Sequence, residues 1–417
     1  MPSSHRWRAA LLLAAVPLAV SACATYSAPR AAQEEDTGPR VVGYLASWGV
    51  RSKGTRIAEL PGDRLTHVIY AFARIGADGR LALGDRCLDL GECASRSGQG
   101  GGGAGGNFAQ LRILKERHPR LKVLMAVGGW SGSGRFSDVA LTPESRRAFA
   151  RSAIDVVIRQ QPGLFDGIDV DWEYPVGGGL PANAARPEDR RNFTLLLEEL
   201  RRQLDAQGAR DGRRYLLTAA TAAGPAHVAN LELDRVAALV DWINLMTYDY
   251  HAGSRIAHFN APLYAPAGDP TPNLNVDASV RLYRDGGVPP RKIVVGVPFY
   301  GRSYGRVPSA NRGLFQPAGG PTPREWGAGE LDYDALTRKR PETQGFRRFW
   351  HPDARVPWLF KESNGIWITY DDVQSIGQKA DYARQRGLGG VMAWELGGDD
   401  EGILVRTIHA RLHAGTR

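Results

Sequence analysis

The sequence repeats one unit eight times: a short apolar run rich in β-branched residues, followed by a longer helical stretch. Alternation of this kind predicts a parallel sheet covered by helices. Eight units, with the last strand near the C-terminus, favour closure of the sheet into a barrel. We therefore predict an α/β protein with a (β/α)8 TIM barrel. The predicted strands are 41–45, 67–72, 122–127, 167–172, 215–220, 242–246, 293–297 and 390–394, and the clearest helices are 109–117, 143–160, 188–207 and 276–285.

The interval between the seventh and eighth strands breaks this rhythm. Residues 303–365 lack a single connecting helix and are rich in aromatic and turn residues. A disordered loop would contain fewer aromatic side chains, so we predict a small α+β insertion domain with its own core. The barrel is then formed by residues 41–302 and 366–417, and the insertion stands on the rim where catalytic loops gather.

The N-terminus has the composition of an export signal. His5, Arg6 and Arg8 precede the apolar run 9–20, and residues 1–22 are predicted to form the signal peptide. Cys23 follows Val-Ser-Ala, which resembles the lipobox of bacterial lipoproteins and predicts lipidation of that cysteine. Ordinary cleavage after Ala22 or Ala24 is the alternative. Residues 23–40 would be a flexible tether, and the protein would be exported, either lipid-anchored to the cell envelope or secreted.

Apart from Cys23, the sequence contains two cysteines, Cys87 and Cys93. In an oxidising compartment they can form a disulfide across a short loop. A zinc site is disfavoured because two cysteines without a nearby histidine supply too few ligands.

The formal charge is +9, and the basic residues are scattered rather than clustered in a run. This pattern argues against a nucleic-acid-binding arm and is typical of a cationic, solvated surface. We expect no nucleic-acid partner, membrane contact only through an N-terminal lipid, and a monomer.

The segment 166–173 contains the candidate catalytic acids. Side chains alternate along a strand, so Asp169, Asp171 and Glu173 share one face, while Ile168, Val170 and Trp172 share the other. The acids would point into the barrel, with Glu173 nearest its C-terminal mouth. Stacked carboxylates in a core raise one another's pKa, which is how a protein keeps a carboxyl group protonated near neutral pH.

Binding of magnesium or manganese by the three carboxylates is the main alternative. The nine histidines are dispersed, and no pair of them follows a strand. The aromatic surroundings, which include Trp172, Tyr174, Tyr248 and Trp394, suit a sugar face better than a hydrated cation. We therefore expect no metal and no cofactor.

Asp166-x-x-Asp169-x-Asp171-x-Glu173 resembles the DxxDxDxE signature of family 18 glycoside hydrolases, the chitinases. The resemblance covers nearly the whole mature chain. It also includes the Gly-Gly-Trp segment 128–130 after the third strand, the Met-Thr-Tyr-Asp segment 246–249, the segment 296–302 on the seventh strand, and Trp394 at the end of the eighth. One position departs from the pattern: the third-strand motif usually begins with a serine, and here that residue is Ala126.

The resemblance implies a substrate-assisted, retaining hydrolase acting on chitin or chito-oligosaccharides. It implies that Glu173 is the acid and base, that Asp171 and Asp169 share a proton, and that Tyr248 bonds the substrate acetamido group. The remaining residues that it assigns to substrate binding are Trp394, Asp249, Met246, Arg302, Tyr44, Phe72, Trp130 and Tyr174.

Two other functions stay open at this point. A glycosidase acting on peptidoglycan or N-glycans would meet the same 2-acetamido sugar. A non-catalytic chitin-binding lectin is also compatible with the fold, although retention of Glu173 argues against it.

Overall fold

The structure is a computed structural model that describes residues 38–92, 105–320 and 322–415. Fourteen strands lie in this part of the chain: β1 Arg40–Ala46, β2 His67–Ile75, β3 Leu81–Ala82, β4 Lys122–Gly128, β5 Gly167–Asp171, β6 Leu216–Ala222, β7 Trp242–Met246, β8 Ile293–Pro298, β9 Tyr300–Tyr304, β10 Glu330–Asp332, β11 Arg347–His351, β12 Val356–Lys361, β13 Ile366–Thr369 and β14 Gly390–Trp394. The α-helices in the same part are α1 Gly49–Ser52, α2 Arg86–Leu90, α3 Gly106–Arg117, α4 Phe136–Leu141, α5 Pro143–Ala153, α6 Asp189–Asp211, α7 Pro225–Val228, α8 Leu233–Leu239, α9 Val276–Asp285, α10 Tyr333–Arg338, α11 Val373–Gln385 and α12 Ile403–Leu412.

Eight parallel strands close into a barrel in the order β1, β2, β4, β5, β6, β7, β8, β14, and β14 pairs again with β1. The predicted (β/α)8 barrel is therefore confirmed. Each predicted barrel strand matches an observed one with ends that differ by three residues or fewer. The predicted helix 143–160 is α5 continued by a π-helical turn, Ile154–Arg159.

The two faces of β5 show why the strand sequence folds this way. Ile168, Val170 and Trp172 face outward into the core between the barrel and its helices. Trp172 stacks on Phe136 of α4 with ring centroids 5.3 Å apart and meets Phe193 of α6 edge-on. Burial of these apolar side chains stabilises the packing of β5 against its helices and leaves the opposite face of β5 for the acids.

A second sheet follows β8 directly. It is antiparallel, has the order β10, β9, β13, β12, β11, and runs from Tyr300 to Thr369, whereas the sequence suggested 303–365. Its faces carry separate aromatic cores, one around Trp358 and Trp367 and the other around Trp326 and Phe346.

Asp166 lies before β5, at the N-terminal end of the barrel. Its carboxylate pairs with Lys115 at 2.7 Å and with Arg213, and it accepts a hydrogen bond from the Val123 amide. These contacts give Asp166 a structural role, away from the C-terminal mouth.

The signal peptide, Cys23 and most of the tether lie outside the described residues, as does Cys93. Cys87 lies in α2 and is disulfide-bonded. Among the described residues, none of the helices combines the length and apolar character needed to cross a bilayer.

Candidate active site

Strand β5 presents a ladder of acids to the barrel interior. Asp169 is in register with Ala126 on β4 and with Thr218 on β6, and Asp171 is in register with Gly128 and Ala220. Glu173 follows two residues later, at the mouth. Asp169 is fully buried, Asp171 is 4% exposed and Glu173 is 9% exposed. The ladder therefore runs from a dry interior to the edge of solvent.

Asp169 lies deepest in the barrel, and its carboxylate accepts hydrogen bonds from side chains on three other strands. The Tyr44 hydroxyl on β1 donates to Oδ2 at 2.6 Å. The Thr218 hydroxyl on β6 and the Asn244 amide on β7 both donate to Oδ1. Burial raises the pKa of Asp169, and these hydrogen bonds oppose the rise because they stabilise the carboxylate. Asp169 is thus the best placed of the three acids to carry the negative charge.

Asp171 lies above Asp169 without such support. Its Oδ1 is buried and has no hydrogen-bond partner among the described residues. Burial, and then repulsion from Glu173 and Asp169, raise the pKa of Asp171 well above its usual range. The surroundings therefore favour the protonated form of Asp171 more strongly than that of Asp169.

Glu173 has the properties of a general acid. Burial and repulsion from Asp249 raise its pKa to about 7, against the opposing effect of hydrogen bonding with Tyr174. Its backbone is fixed on both sides, since its amide donates to Ser133 Oγ at 2.9 Å and its carbonyl accepts from Asn183 Nδ2 at 3.1 Å. A carboxyl group tuned in this way is half protonated near neutral pH.

The glycine pair after β4 makes room for this ladder. Gly128 and Gly129 both have positive φ, 109° and 75°. A Cβ on Gly128 would lie 2.2 Å from the Asp171 carbonyl oxygen, and one on Gly129 would lie 2.6 Å from the Phe72 ring. Both the backbone conformation and the close approach therefore require glycine.

The segment after β7 forms one wall of the site. Met246 and Tyr248 pack on the barrel-interior cluster, and the Tyr248 hydroxyl lies 3.9 Å from Met392 Sδ. Asp249 receives two parallel hydrogen bonds from Arg302, at 2.8 and 2.6 Å, and a third from the Tyr300 hydroxyl at 2.7 Å. These three hydrogen bonds fix the Asp249 carboxylate beside Glu173, where it can also accept a hydrogen bond from a ligand hydroxyl.

Aromatic rings form the floor and the rim. Trp394, half-buried, lies 5.7 Å from Phe72 in a stacked arrangement and 5.6 Å from Tyr44. Trp130 is 50% exposed at the mouth, whereas Tyr174 packs against His227 at a centroid distance of 4.4 Å. Flat apolar rings beside carboxylates suit the faces and hydroxyl edges of a sugar.

Metal binding is the alternative that the three acids raise. Within residues 38–92, 105–320 and 322–415, no group of three or more His, Cys, Asp or Glu side chains is arranged to hold a metal ion. The Asp169 oxygens are instead occupied by hydroxyl and amide donors.

Comparison with known proteins decides the family. The profile of "Glycosyl hydrolases family 18" matches residues 40–399. The chain belongs to glycosyl hydrolase family 18. The family resemblance and the glycoside hydrolase class expected from the sequence are confirmed.

Three relatives illustrate the likeness. Chitinase A1 of Niallia circulans is 41% identical over 414 residues, covering 90% of this chain and 59% of the relative, so the chain spans under two thirds of that protein. Among solved structures, chitinase ChiA74 from Bacillus thuringiensis is 33% identical with a TM-score of 0.82, covering 91% of this chain and 70% of the other. A family 18 N-acetylglucosaminidase from Paenibacillus barengoltzii is 35% identical with a TM-score of 0.75, covering 90% of this chain and all of the other.

The structure resolves the departure from the family pattern at Ala126. Ala126 and Thr218 flank Asp169 on opposite sides in the same register. The Thr218 hydroxyl donates to Asp169 Oδ1. Asp169 therefore has a hydroxyl donor on β6, although Ala126 on β4 supplies none.

Sequence reasoning missed four residues of this family 18 site: Thr218, Asn244, Trp48 and Ser133. Thr218 and Asn244 are isolated polar residues within apolar strands, a signal that an inward-facing partner is present. Trp48 is 44% exposed and stacks on Phe72 at 6.4 Å. Its position just past the end of β1 placed it at the barrel mouth.

Proposed function

We propose that the protein is a chitinase that hydrolyses β-1,4-linked N-acetylglucosamine polymers and oligomers. The observation that carries the proposal is the ladder itself. Asp169 is stabilised by donors, the buried Oδ1 of Asp171 has no hydrogen-bond partner among the described residues, and Glu173, with a pKa of about 7, lies at the mouth with Trp394. The names of the relatives support chitin as the substrate, since Niallia circulans chitinase A1 and Bacillus thuringiensis chitinase ChiA74 are both chitinases by name.

The mechanism that this geometry supports is substrate-assisted and retaining. In the first step the acetamido oxygen of the substrate attacks C1, the glycosidic C1–O bond breaks, and Glu173 gives its proton to the leaving oxygen. The product is an oxazolinium ion, and no enzyme nucleophile is needed. In the second step water gives a proton to Glu173 and attacks C1, so the C1–O bond of the oxazolinium opens and the configuration is retained.

The other residues have separate tasks in this scheme. Asp171 orients the acetamido group and offsets the positive charge that develops on it, since its buried Oδ1 is free to bond the acetamido nitrogen. Tyr248 approaches the acetamido oxygen from the opposite wall. Asp249, held by Arg302, binds hydroxyls of the distorted sugar, and Trp394 stacks beneath that sugar. Fixed dipoles in a dry site stabilise such charge without reorganisation.

Hydrolysis of a chromogenic chitobioside beside a peptidoglycan-clearing assay tests the substrate. We expect release of the chromophore and no clearing. Clearing without chitobioside hydrolysis would favour the peptidoglycan glycosidase, and binding without either activity would favour a lectin. The product profile from chitohexaose would separate endo from exo cleavage, a distinction made relevant by the structural likeness to an N-acetylglucosaminidase.

The Thr218 hydrogen bond supports a further prediction. Thr218→Val keeps the side-chain shape but removes the donor to Asp169, and an unmade bond to a buried charge costs about 1–3 kcal/mol. We expect kcat on the chitobioside to fall by about tenfold, which is the rate equivalent of the lower half of that range. Adding Ala126→Ser should restore most of the rate, because residue 126 reaches Asp169 from the other side. A double variant as slow as Thr218→Val alone would contradict this assignment.

Export remains a proposal from the N-terminal sequence. We propose that Cys23 carries the lipid, in which case the protein partitions with membranes and Cys23→Ala is soluble or unprocessed. Mass spectrometry of the mature N-terminus checks this, and an unmodified start at Cys23, Ala24 or Thr25 would exclude lipidation.

A further inference from the structure

Lys53 lies between two carboxylates from distant parts of the chain. Its Nζ donates to Asp332 Oδ1 at 2.8 Å and to Glu395 Oε1. Asp332 belongs to β10 of the insertion sheet, and Glu395 directly follows β14. Lys53 itself lies just after α1. These three residues, called here the Lys53 hub, join the barrel to the insertion sheet.

The Glu395 carboxylate is the fixed point of the hub. It is 6% exposed, and its second oxygen accepts from the Gly397 amide at 3.0 Å and the Ala46 amide at 3.5 Å. A buried carboxylate that loses its cationic partner is strongly destabilised, so the pairing with Lys53 is part of how Glu395 is held. Burial opposes the charge on Lys53, but Glu395 and Asp332 outweigh this effect and raise the pKa of the lysine. The two carboxylates therefore favour the charged form of Lys53.

Each of the two ion pairs of Lys53 ends next to residues that line the proposed substrate site. Glu395 follows Trp394, the floor of the proposed sugar site. Glu330 lies two residues before Asp332 on β10, and its Oε2 is 3.3 Å from Arg302 Nη1. Arg302 in turn holds Asp249 on its other side. The hub thus connects the floor to the insertion wall through charged contacts.

We propose that Lys53 is a positioning residue that fastens the insertion sheet to the floor of the groove and so governs the binding of long substrates. The inference rests on the proposed action on chito-oligosaccharides. The reacting sugar meets the insertion sheet only through Arg302 of β9, which follows β8 after a single residue, so a short substrate depends little on how β10 is held. A longer chain contacts floor and wall together and loses affinity when they can separate.

The experiment compares kcat and KM on an aryl chitobioside and on chitohexaose for Lys53→Met and Lys53→Arg. For Lys53→Met we expect KM for chitohexaose to rise by about tenfold, with kcat on the chitobioside within about twofold of the parent, because uniform binding is lost and transition-state contacts are kept. Lys53→Arg keeps the charge and should restore the parent KM. Asp332→Asn, which leaves the Lys53–Glu395 pair intact, should reproduce the rise and carries the test if Lys53→Met does not fold.

A matched control is Arg338→Gln. Arg338 of α10 also reaches from the insertion to the segment after β14, but its 3.2 Å pair with Asp400 is mostly exposed and should contribute little. We expect its KM values to be unchanged. An unchanged chitohexaose KM in folded Lys53→Met and Asp332→Asn would overturn the proposal, as would equal rises on both substrates. Absence of any hydrolysis by the parent protein would instead count against the proposed function.

Discussion

Glu173→Gln is expected to slow hydrolysis of chito-oligosaccharides by at least about 10²–10⁴-fold, the usual contribution of a positioned general acid. Glutamine has almost the same shape as glutamate but cannot give a proton to the leaving oxygen or take one from water. The backbone of residue 173 is held by Ser133 and Asn183, so the substitution should leave the local structure in place. Turnover close to that of the parent would end the proposed mechanism.

Binding provides the control for this variant. Affinity for chitohexaose, measured by calorimetry with Glu173→Gln, should match the KM range of the parent because Trp394, Asp249 and Tyr248 are unchanged. A variant that neither binds nor melts at the parent temperature would be misfolded, and its loss of rate would say nothing about proton transfer.

The pH profile follows from the same group. In the proposed mechanism Glu173 must be protonated to start the reaction, and burial raises its pKa to about 7. The rate should therefore be full below that value and should fall as pH rises through about 7. Weakening the repulsion from Asp249, for example with Asp249→Asn, should move this limb to lower pH, because a like charge nearby raises a carboxyl pKa.

The barrel and the acid ladder could be predicted because both depend on local periodicity. Strand side chains alternate, so the positions of Asp169, Asp171 and Glu173 on one face follow from their spacing alone. The outward packing of Trp172 follows from the same rule. The presence of eight strand and helix units then predicted that the sheet closes into a barrel.

The contacts across strands could not be predicted in this way. Thr218 bonds Asp169 across 49 positions of sequence, and Lys53 reaches Glu395 across 342. Such pairs depend on strand register and on loop paths, which no local pattern records. The insertion sheet extends from Tyr300 to Thr369, beyond the predicted 303–365, because β9 follows β8 after a single residue and no turn pattern in the sequence separates the two strands.

Asp171 is the residue on which the proposed substrate-assisted step most depends. Its Oδ1 is buried and has no partner among the described residues, although leaving a polar atom unpaired in a core costs about 1–3 kcal/mol. That cost is recovered if the substrate acetamido group supplies the partner. Burial, together with repulsion from Glu173 and Asp169, raises its pKa, and a cationic intermediate beside it would oppose that rise because a nearby positive charge favours the carboxylate.

We therefore expect Asp171→Asn to lower kcat on the chitobioside by about 10²–10³-fold, as removal of a preorganised electrostatic partner does. The same variant should bind a thiazoline analogue of the oxazolinium ion more weakly by a similar factor, since a transition-state analogue reports the same contacts. Asp166→Asn is the control, because Asp166 pairs with Lys115 and Arg213 at the far end of the barrel and should affect stability more than inhibitor binding. Fluoro-sugars that trap carboxylate nucleophiles should leave no label on the parent protein. A covalent glycosyl adduct on Asp169 or Asp171, located by peptide mapping, would replace the substrate-assisted step with an enzyme nucleophile while leaving the barrel and the role of Glu173 intact.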